Sequence, residues 1–566
     1  MKLITPWRVD MKILVSELIV KYLERLGIEY IFGMPGAHIL PVYDSLYASK
    51  IKSVLVKHEQ GAAFMAGGYA RASGKISACI TTAGPGATNL LTGIANAYAD
   101  KQPILIITGE TSTYIFGKGG LQESSGEGGS IDQIALFKGI TRYSKIVERT
   151  DYLAHVLNQA AKILLAPNSG PVLLSFPYNV QKELVDANLL DSISSVARFA
   201  PTQKNCLPVD ALTQLIIESQ HPVIVAGYGC IKAGAQDVVA QLSETMGIPV
   251  TTSLKGKGII GDGAGLSLGC LGVTSNGEAY QYIIEHADLL IFLGAGFNER
   301  TSYLWDAKLL ANKKVAQVDY DPEQLEKVFR ADVAMQGDIK HVLSAVLQKI
   351  ADSGTSGKSL CKFHCHTEGL KNKSPENPAD EIQSRFALVK QFYAKLEAHF
   401  PENAMIFDDN IIFAQSYFNV SSSNRYYPNS GISSLGHAIP AAIGARFSAQ
   451  KPTFAILGDG GFQMCCMEIM TAVNYGIPLN IVVFNNASMS LIRKNQVQLY
   501  NNRFIDCDFI NPDFQLLAKS FGIQHKKIAN ENDLDELFAT SDLTSSINLI
   551  EIMIDKDAYP NYRSGR

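Results

Sequence analysis

Short apolar runs alternate with stretches of helical periodicity along nearly the whole chain. The runs Ser77–Thr81, Ile104–Thr108, Val172–Ser175, Val223–Ala226, Leu289–Leu293, Phe454–Leu457 and Asn480–Phe484 predict strands. Strands separated by helical segments predict an α/β architecture with parallel sheets. Met11–Leu26 predicts a helix with Leu14, Val15, Leu18 and Tyr22 near one face, and the ten residues before it are expected to be a dispensable extension. Pro171 opens the last strand of a first unit, and the polar stretch Val185–Asn205 predicts a linker. A second α/β unit spans Pro208–Lys349. Ala351–Pro378, rich in Ser, Lys, Gly and Asn, predicts a second, exposed linker. The expected domains are residues 1–185, 200–350 and 380–566.

Composition supports this division and narrows the function. A chain of 566 residues exceeds one ordinary core, in keeping with three domains. Hydrophobic content of 46% with 18% charged residues fits a large, well-buried globular protein. Lys plus Arg number 50 against 54 Asp plus Glu, so the net charge of −4 offers no basic footprint for nucleic acid. Nine scattered Cys without a paired framework favour reduced thiols. No apolar run reaches the length of a membrane span. Lys12, Glu17, Lys21 and Glu24 interrupt any signal-peptide core. A soluble, cytoplasmic protein with neither nucleic acid nor membrane as partner is the expectation.

Several suggestive motifs fail on spacing. Gly357-Lys358-Ser359 ends like a phosphate-binding loop, but Asp352 stands where its leading Gly belongs. Cys361-Lys362-Phe363-His364-Cys365-His366 matches no common zinc spacing. Gly227-Tyr228-Gly229 and Gly294-Ala295-Gly296 follow strands without completing a dinucleotide fingerprint. The third unit is more specific. Strand Phe454–Leu457 delivers Asp459 at its carboxyl end, where ligands bind in open α/β sheets, and strand Asn480–Phe484 delivers Asn486. Gly458, Gly460 and Gly461 let backbone amides approach phosphate oxygens. Two side-chain oxygens, a main-chain carbonyl and diphosphate oxygens make an octahedral magnesium site. The alternative is two ordinary loops on a sheet.

Other stretches give that clamp a context. They are Ile31-Phe32-Gly33-Met34-Pro35-Gly36-Ala37, Lys57-His58-Glu59-Gln60-Gly61-Ala62-Ala63, Gly68-Tyr69-Ala70-Arg71-Ala72-Ser73-Gly74 and Gly84-Pro85-Gly86-Ala87-Thr88-Asn89. Later come Asp319-Tyr320-Asp321-Pro322, Ile439-Pro440-Ala441-Ala442-Ile443-Gly444-Ala445 and Gly458-Asp459-Gly460 with Asn485-Asn486. Together, across all three units, they resemble the thiamine diphosphate family of acetolactate synthase (acetohydroxyacid synthase large subunit) and its relatives. The resemblance implies three doubly wound parallel-sheet domains: pyrimidine-binding, central and diphosphate-binding.

The same resemblance assigns roles. Glu59, which taken alone is more simply a solvated helix residue, matches the glutamate that meets the pyrimidine ring nitrogen of thiamine diphosphate. Such a carboxyl works best partly buried, with its pKa raised. Ser434 and Leu435 match the segment whose bulky apolar residue wedges the cofactor into a bent shape; an ordinary core Leu is the alternative. Asp459 and Asn486 match the Mg2+ ligands, and Ser488 the position offering a main-chain oxygen. Gln122 matches the glutamine over the reacting carbon, Leu121 replaces a more usual Phe, and Ser124–Ser130 looks like a short Gly/Ser-rich insertion. Arg300 matches the arginine that binds the acceptor carboxylate, a task suited to a planar guanidinium. His38 is within reach of the active site or else a satisfied structural histidine.

Function follows from these assignments as an expectation. The resemblance implies decarboxylation of a 2-oxo acid such as pyruvate and transfer of its two-carbon unit to a second 2-oxo acid. It also implies a homodimer or homotetramer with active sites between subunits. Two positions depart from the pattern. Asn495 stands where the family carries a Trp in the acceptor pocket, and Asp409-Asn410-Ile411-Ile412-Phe413 lacks the usual Gly-Gln-His run. The departure at Asn495 keeps a related lyase or acyltransferase with an aldehyde or specialised-metabolite acceptor as the alternative. A catalytically silent homologue is a third class, and the retained Glu59, Asp459 and Asn486 speak against it. FAD is left open: Gly296 replaces an arginine of the family motif, while Leu254-Lys255-Gly256-Lys257-Gly258 belongs to the segment some relatives use for flavin.

Overall fold

The computed structural model describes residues 12–193, 209–354 and 385–559. The Gly357–Ser359 and Cys361–His366 motifs, the extension before Met11 and most of the second linker lie outside them. Among the described residues twenty strands, β1 to β20, are Lys12–Leu14, Tyr30–Gly33, Lys52–Leu55, Ser77–Thr81, Ile104–Glu110, Tyr143–Ile146, Val172–Pro177, Leu184–Asp186, Pro222–Ala226, Val250–Thr252, Ser267–Cys270, Leu289–Leu293, Lys314–Asp319, Val333–Gln336, Met405–Asp408, Arg425–Pro428, Thr453–Gly458, Leu479–Asn485, Gln524–Ile528 and Ile547–Met553. They form three six-stranded parallel sheets and one two-stranded antiparallel pair. Among the described residues no helix is long and apolar enough to cross a membrane.

The chain divides into two compact units. The first comprises Met1–Thr202, Gly431–Gln450 and Cys465–Ile477. Its sheet runs β3-β2-β4-β5-β7-β6. Strands β4, β5 and β7 are buried at every position, as parallel strands covered on both faces must be. The core includes Ile31, Ile80, Ile107, Leu174 and the helix residues Leu18, Tyr22 and Leu157. Tyr22 is fully buried and its hydroxyl donates to the Leu157 carbonyl at 2.8 Å, which removes the cost of an orphan phenol.

Two sequence expectations need correction here. The helix expected over Met11–Leu26 starts only at Val15 and ends at Arg25. Lys12–Leu14 is instead a strand, paired antiparallel with Asp186, Val185 and Leu184. Three residues of edge strand carry no period long enough to separate them from a helical turn. The same pairing removes the start of the expected linker. Val185 lies in β8, a 3-10 turn follows over Ala187–Ser192, and Ile193 is buried with its carbonyl accepting from Arg25 Nη2 at 3.0 Å.

Helix Glu59–Ser73 is the centre of the first unit. It starts after His58, whose Nδ1 accepts from the Gln60 amide, and stops at Gly74, whose φ of 70° suits only an αL cap. Gly61, Ala62, Ala63, Ala66, Gly67, Gly68 and Ala70 are buried on it, and helix Ala438–Arg446 approaches it backbone against backbone. A Cβ on Gly68 would lie 1.9 Å from the Ala441 carbonyl oxygen, and one on Gly444 would lie 2.0 Å from that of Met65. Reciprocal contacts this close leave no room for a side chain at either Gly68 or Gly444.

The second unit holds Gln203–Ser430, Lys451–Met464 and Pro478–Arg566. Its first sheet runs β11-β10-β9-β12-β13-β14. In chain order this is 3-2-1-4-5-6, the Rossmann arrangement. Ile224, Ala226, Ile291 and Leu293 face one core, while Val223, Val225, Leu290 and Phe292 face the other. The second sheet runs β16-β15-β17-β18-β20-β19, which is 2-1-3-4-6-5 in chain order, the same as in the first unit. A buried ion pair in the loop between β10 and β11 orients a carboxylate toward the segment ahead of β16. Lys257 Nζ meets Asp262 Oδ2 at 2.9 Å, and the same oxygen accepts the Val420 amide.

The helix contact in the first unit generates a test. Gly68→Ala is expected to destabilise by ~1–3 kcal/mol, the usual cost of overpacking, seen as a lower thermal midpoint. Gly139→Ala is the control, with φ of −81° and nothing within 4 Å of its built Cβ; a change within ~0.5 kcal/mol is expected.

Candidate active site

Within the first unit, Glu59 opens its helix with only 8% of its surface exposed. Asn89 Nδ2 donates to its Oε2 at 2.9 Å. The backbone just ahead is fixed by Glu468, which sequence reasoning missed. Glu468 Oε1 accepts the Lys57 and His58 amides at 3.0 Å each, and Thr471 Oγ1 donates to Oε2 at 2.7 Å. Burial pushes the Glu468 carboxyl above its usual range while these donors pull it back. Gly61 has to be Gly, because a Cβ there would sit 2.2 Å from Glu468 Oε1. Glu468 lies more than 400 positions along the chain from the amides it holds. Only a repeated pattern across relatives would have joined them.

A second cluster in the same unit gathers Gln122, Thr82 and His38. Thr82 Oγ1 donates to Gln122 Oε1 at 3.1 Å and stands 3.5 Å from His38 Nδ1. Gln122 has φ of 56°, a left-handed conformation that is costly for a side chain with a Cβ and marks a constrained loop. His38 is buried, its carbonyl accepts from Gln181 Nε2 at 2.7 Å, and burial lowers its pKa from the ordinary value. The imidazole is therefore held neutral near pH 7. The Ser124–Ser130 stretch follows Gln122 directly. It closes on itself, with Ser125 bridged to Asp132 and the Gly126 amide donating to the Ile131 carbonyl at 3.0 Å. Glu123 organises the turn before it, accepting the amides of Gly117, Gly119 and Gly120 and the Ser125 hydroxyl.

Ser434 and Leu435 lie on the turn ahead of helix Ala438–Arg446, also in the first unit. Ser433 and Gly436 flank them at φ of 55° and 84°. Leu435 is exposed, so it is presented outward rather than packed as a core residue.

In the second unit, β17 ends at Gly458 and helix Asp459–Cys465 begins at once. Asp459 is buried, and its Oδ2 accepts from the Asn486 amide, the Ala487 amide at 2.6 Å and Asn511 Nδ2 at 2.8 Å. Its Oδ1 takes the Gly460 amide at 3.0 Å. Gly460 is closely packed: a Cβ there would lie 2.6 Å from Met489 Sδ. Burial pushes the Asp459 carboxyl up, and what opposes it is these hydrogen bonds rather than a basic side chain. A buried carboxylate in that condition fits a cation, with Oδ1 keeping a lone pair for it. Asn486 is half-buried, and its Nδ2 donates to Ser490 Oγ at 2.7 Å, which turns Oδ1 to the other side of the amide. The Ser488 carbonyl accepts the Ser490 amide at 3.0 Å and has a second lone pair. Among the described residues no group of three or more His, Cys, Asp or Glu is placed to hold a metal. A cation here therefore rests on one carboxylate, amide and main-chain oxygens, and phosphate.

The adjacent Asn485 has a different task. It is buried; its Nδ2 donates to Glu551 Oε1 at 2.6 Å and its Oδ1 accepts from Asn511 Nδ2 at 2.8 Å. Asn511 thus donates to both Asn485 and Asp459, and Gln463 Nε2 donates to its Oδ1 at 2.7 Å. Asn511 is a second residue that the motifs did not indicate. Elsewhere in this unit, Arg300 is half-buried in the loop leaving β12, its carbonyl accepting the Val273 and Tyr303 amides. Asn495 is half-buried on helix Ser490–Leu499. Two residues earlier Arg493 is pinned by Asp508 at 2.6 Å and Asp557 at 2.8 Å, so it is committed to structure.

Comparison with known proteins gives consistent matches. The model described as the thiamine pyrophosphate enzyme N-terminal TPP binding domain matches residues 13–135, the central domain 209–346 and the C-terminal TPP binding domain 410–551. The probable acetolactate synthase large subunit of Methanococcus aeolicus is 32% identical over 559 residues, covering 95% of this chain and 92% of that protein. The acetolactate synthase large subunit of Lactococcus lactis is 31% identical, covering 96% and 93%. Acetolactate synthase isozyme 2 large subunit of Escherichia coli is 29% identical, covering 96% and 95%.

One buried acid beside this site sets a pH dependence. Asp408 ends β15, fully buried, with its carboxyl pushed up to about 7 by burial against hydrogen bonds from Tyr426 Oη at 2.7 Å and the Asn410 amide at 2.6 Å. Its folded value exceeds the ordinary 3.8, so the folded state holds the proton more tightly. Its contribution to stability is full below pH ~4 and is lost as pH rises toward 7. Asp408→Asn is expected to flatten this part of the profile, gaining a few degrees in thermal midpoint relative to wild type between pH 5 and 8.

Proposed function

The chain belongs to the thiamine diphosphate-dependent acetolactate synthase family, and from that premise we propose which residues carry its reaction. The protein is a thiamine diphosphate-dependent, acetolactate synthase-like carboligase. It decarboxylates pyruvate or another 2-oxo acid and joins the two-carbon unit to a second 2-oxo acid. The observation that carries the assignment of residues is the pair of prepared acids. Glu59 is buried and held by Asn89 on a backbone fixed by Glu468, and Asp459 is buried without a basic partner among its main influences.

In this reading Asp459, Asn486 and the Ser488 carbonyl hold Mg2+ on the diphosphate, whose oxygens the amides around Gly458–Gly461 also approach. Thiamine diphosphate supplies the electron sink for decarboxylation, which no side chain offers. Glu59 would hold a proton for the pyrimidine ring nitrogen. Leu435, on its exposed turn beside Ser434, would support the cofactor. Gln122 and Thr82 give hydrogen bonds over the reacting carbon, and His38, neutral near pH 7, adds a polar contact without a charge. Arg300 takes the acceptor's carboxylate. Two copies of the chain form the working dimer, each completing the other's site.

Flavin has weaker support. Gly296 is exposed and supplies no cation where the family motif has Arg, and Lys257 is turned inward onto Asp262. Neither residue offers a cation to a dinucleotide's phosphates. Purified protein is expected to lack flavin absorbance near 450 nm, roughly as a cofactor-free protein would. The acceptor has a second reading, resting on Asn495. A half-buried amide on helix Ser490–Leu499 widens and polarises a wall that an indole would close, which suits an aldehyde or a larger, polar acceptor.

Two measurements test these assignments. Glu59→Gln is expected to lower kcat by ~10²–10⁴, the range for a positioned acid, while Mg2+-dependent binding of thiamine diphosphate, followed calorimetrically, persists. Unchanged turnover would falsify the role given to Glu59. Purified enzyme with thiamine diphosphate, Mg2+ and pyruvate alone is expected to form acetolactate. Product only when an aldehyde is added would favour the second reading of the acceptor.

A further inference from the structure

Strand β5 ends on a carboxyl that the mechanism above does not use. Glu110 has no exposed surface. Its Oε1 accepts two amides, Thr111 at 2.8 Å and Ser124 at 3.0 Å. The second of these bonds spans the whole loop between Glu110 and Ser124. Ser124 in turn donates its hydroxyl to the Gln122 carbonyl at 2.9 Å, and its own carbonyl accepts the Gln133 amide at 3.1 Å. Gln122 is therefore two hydrogen bonds from a strand at the centre of the first sheet. We propose that Glu110 is a positioning residue that latches the loop carrying Gln122 to β5, and so sets how the reaction divides between ligated product and released aldehyde. The proposal rests on the reading of Gln122 as a residue over the reacting carbon.

The chemistry at Glu110 favours a latch over a proton-transfer role. Its Oε2 is buried with no hydrogen-bond partner among the described residues. Burial, with a smaller push from Glu123, raises the carboxyl to about 7, against the pull of the two amides. A neutral acid with its proton on Oε2 still offers Oε1 to both amides. The group has no exposed surface through which a substrate might meet it. What it provides is an acceptor, and an amide oxygen is an equivalent acceptor.

Loop position matters for product because one bond-forming step has two outcomes. With a second pyruvate as acceptor, two pyruvates yield acetolactate and one CO2. With a proton in the acceptor's place, one pyruvate yields acetaldehyde and one CO2. A Gln122 loop held closed excludes the proton donor, water, and favours the first outcome. Gln122 at φ of 56° does not keep that conformation by itself; Thr82 and Glu123 hold the loop from within its own surroundings, and Glu110 ties it to the sheet.

The test uses the full-length holoenzyme and the variants Glu110→Ala, Glu110→Met, Glu110→Gln and Gln122→Ala. Glu110→Met keeps volume without an acceptor, so it serves if the Ala variant does not fold. Hydrogen exchange is followed in peptides covering 117–132, and acetaldehyde and acetolactate are quantified from pyruvate. Ala or Met is expected to speed exchange in this loop about tenfold, the worth of one buried hydrogen bond, and to raise the acetaldehyde share several-fold. Gln is expected to restore both to within about twofold. The latch is overturned if Ala and Met leave exchange unchanged, or if Gln exchanges as fast as they do. If exchange rises while these variants and Gln122→Ala all keep the wild-type product ratio, the latch stands and the reading of Gln122 falls.

Discussion

The first unit depends on how closely two helices approach. Residues of Glu59–Ser73 and Ala438–Arg446 touch main chain to main chain at Gly68 and Gly444. That contact brings together segments more than 350 positions apart in the sequence, and their alanines and glycines exist to permit it. The consequence is chemical as well as structural. The helix that packs so tightly is also the one that starts with Glu59, which is itself buried. Burial needs hydrogen bonds to offset desolvation, and Asn89 supplies one to Glu59 while Glu468 ties down the two amides before it. Gly61 then keeps room for the Glu468 carboxylate. A small-residue helix face, a buried acid and a distant supporting acid are one constraint seen at three places.

Asp459 meets the same problem with different means. Three donors converge on its Oδ2 and one on Oδ1. An arginine or lysine partner would satisfy the carboxylate too well, because its charge would be spent before a cation arrived. Neutral donors fix the orientation and leave the charge. The Asn485-Asn486 pair divides the work along these lines. The buried Asn485 orients through Glu551 and Asn511, whereas Asn486 gives its backbone amide to Asp459 and keeps its side-chain oxygen free of that network.

Much of this was legible in the sequence, and the illegible part has a common cause. Parallel strands buried on both faces are apolar throughout, so β4, β5, β12 and β18 stood out, and three sheets followed. Strand-end motifs such as Gly458-Asp459-Gly460 are local, and their spacing carries the geometry. Lys12–Leu14 misled because three residues carry no period, and Val185 misled because pairing with a distant edge is tertiary. Glu468, Thr82 and Asn511 escaped notice for a related reason. Each acts by a hydrogen bond to a segment remote in sequence, and a polar residue inside an apolar stretch has no signature until its partner is known. The Ser124–Ser130 stretch closes on itself through the bridge between Ser125 and Asp132.

Topology explains why chemistry collects where it does. The first sheet and the last share the order 2-1-3-4-6-5, and the central one is 3-2-1-4-5-6. In all three, the fourth strand in chain order lies inside the sheet with a partner on each side: β5, β12 and β18. Its carboxyl end is where loops from both neighbours converge, so a residue placed there has the most protein to hold it. Each fourth strand is followed by a residue of the candidate chemistry: Gln122 after β5, Arg300 after β12 and Asn486 after β18. The third strands of the outer sheets add the partners, Thr82 after β4 and Asp459 after β17, and each of these bonds to the loop of the adjacent fourth strand. A strand-end pair in 2-1-3-4-6-5 order is thus used twice. In one sheet the third strand is followed by a hydroxyl, Thr82, bonded to a side-chain amide, and in the other by a carboxylate, Asp459, bonded to main-chain amides.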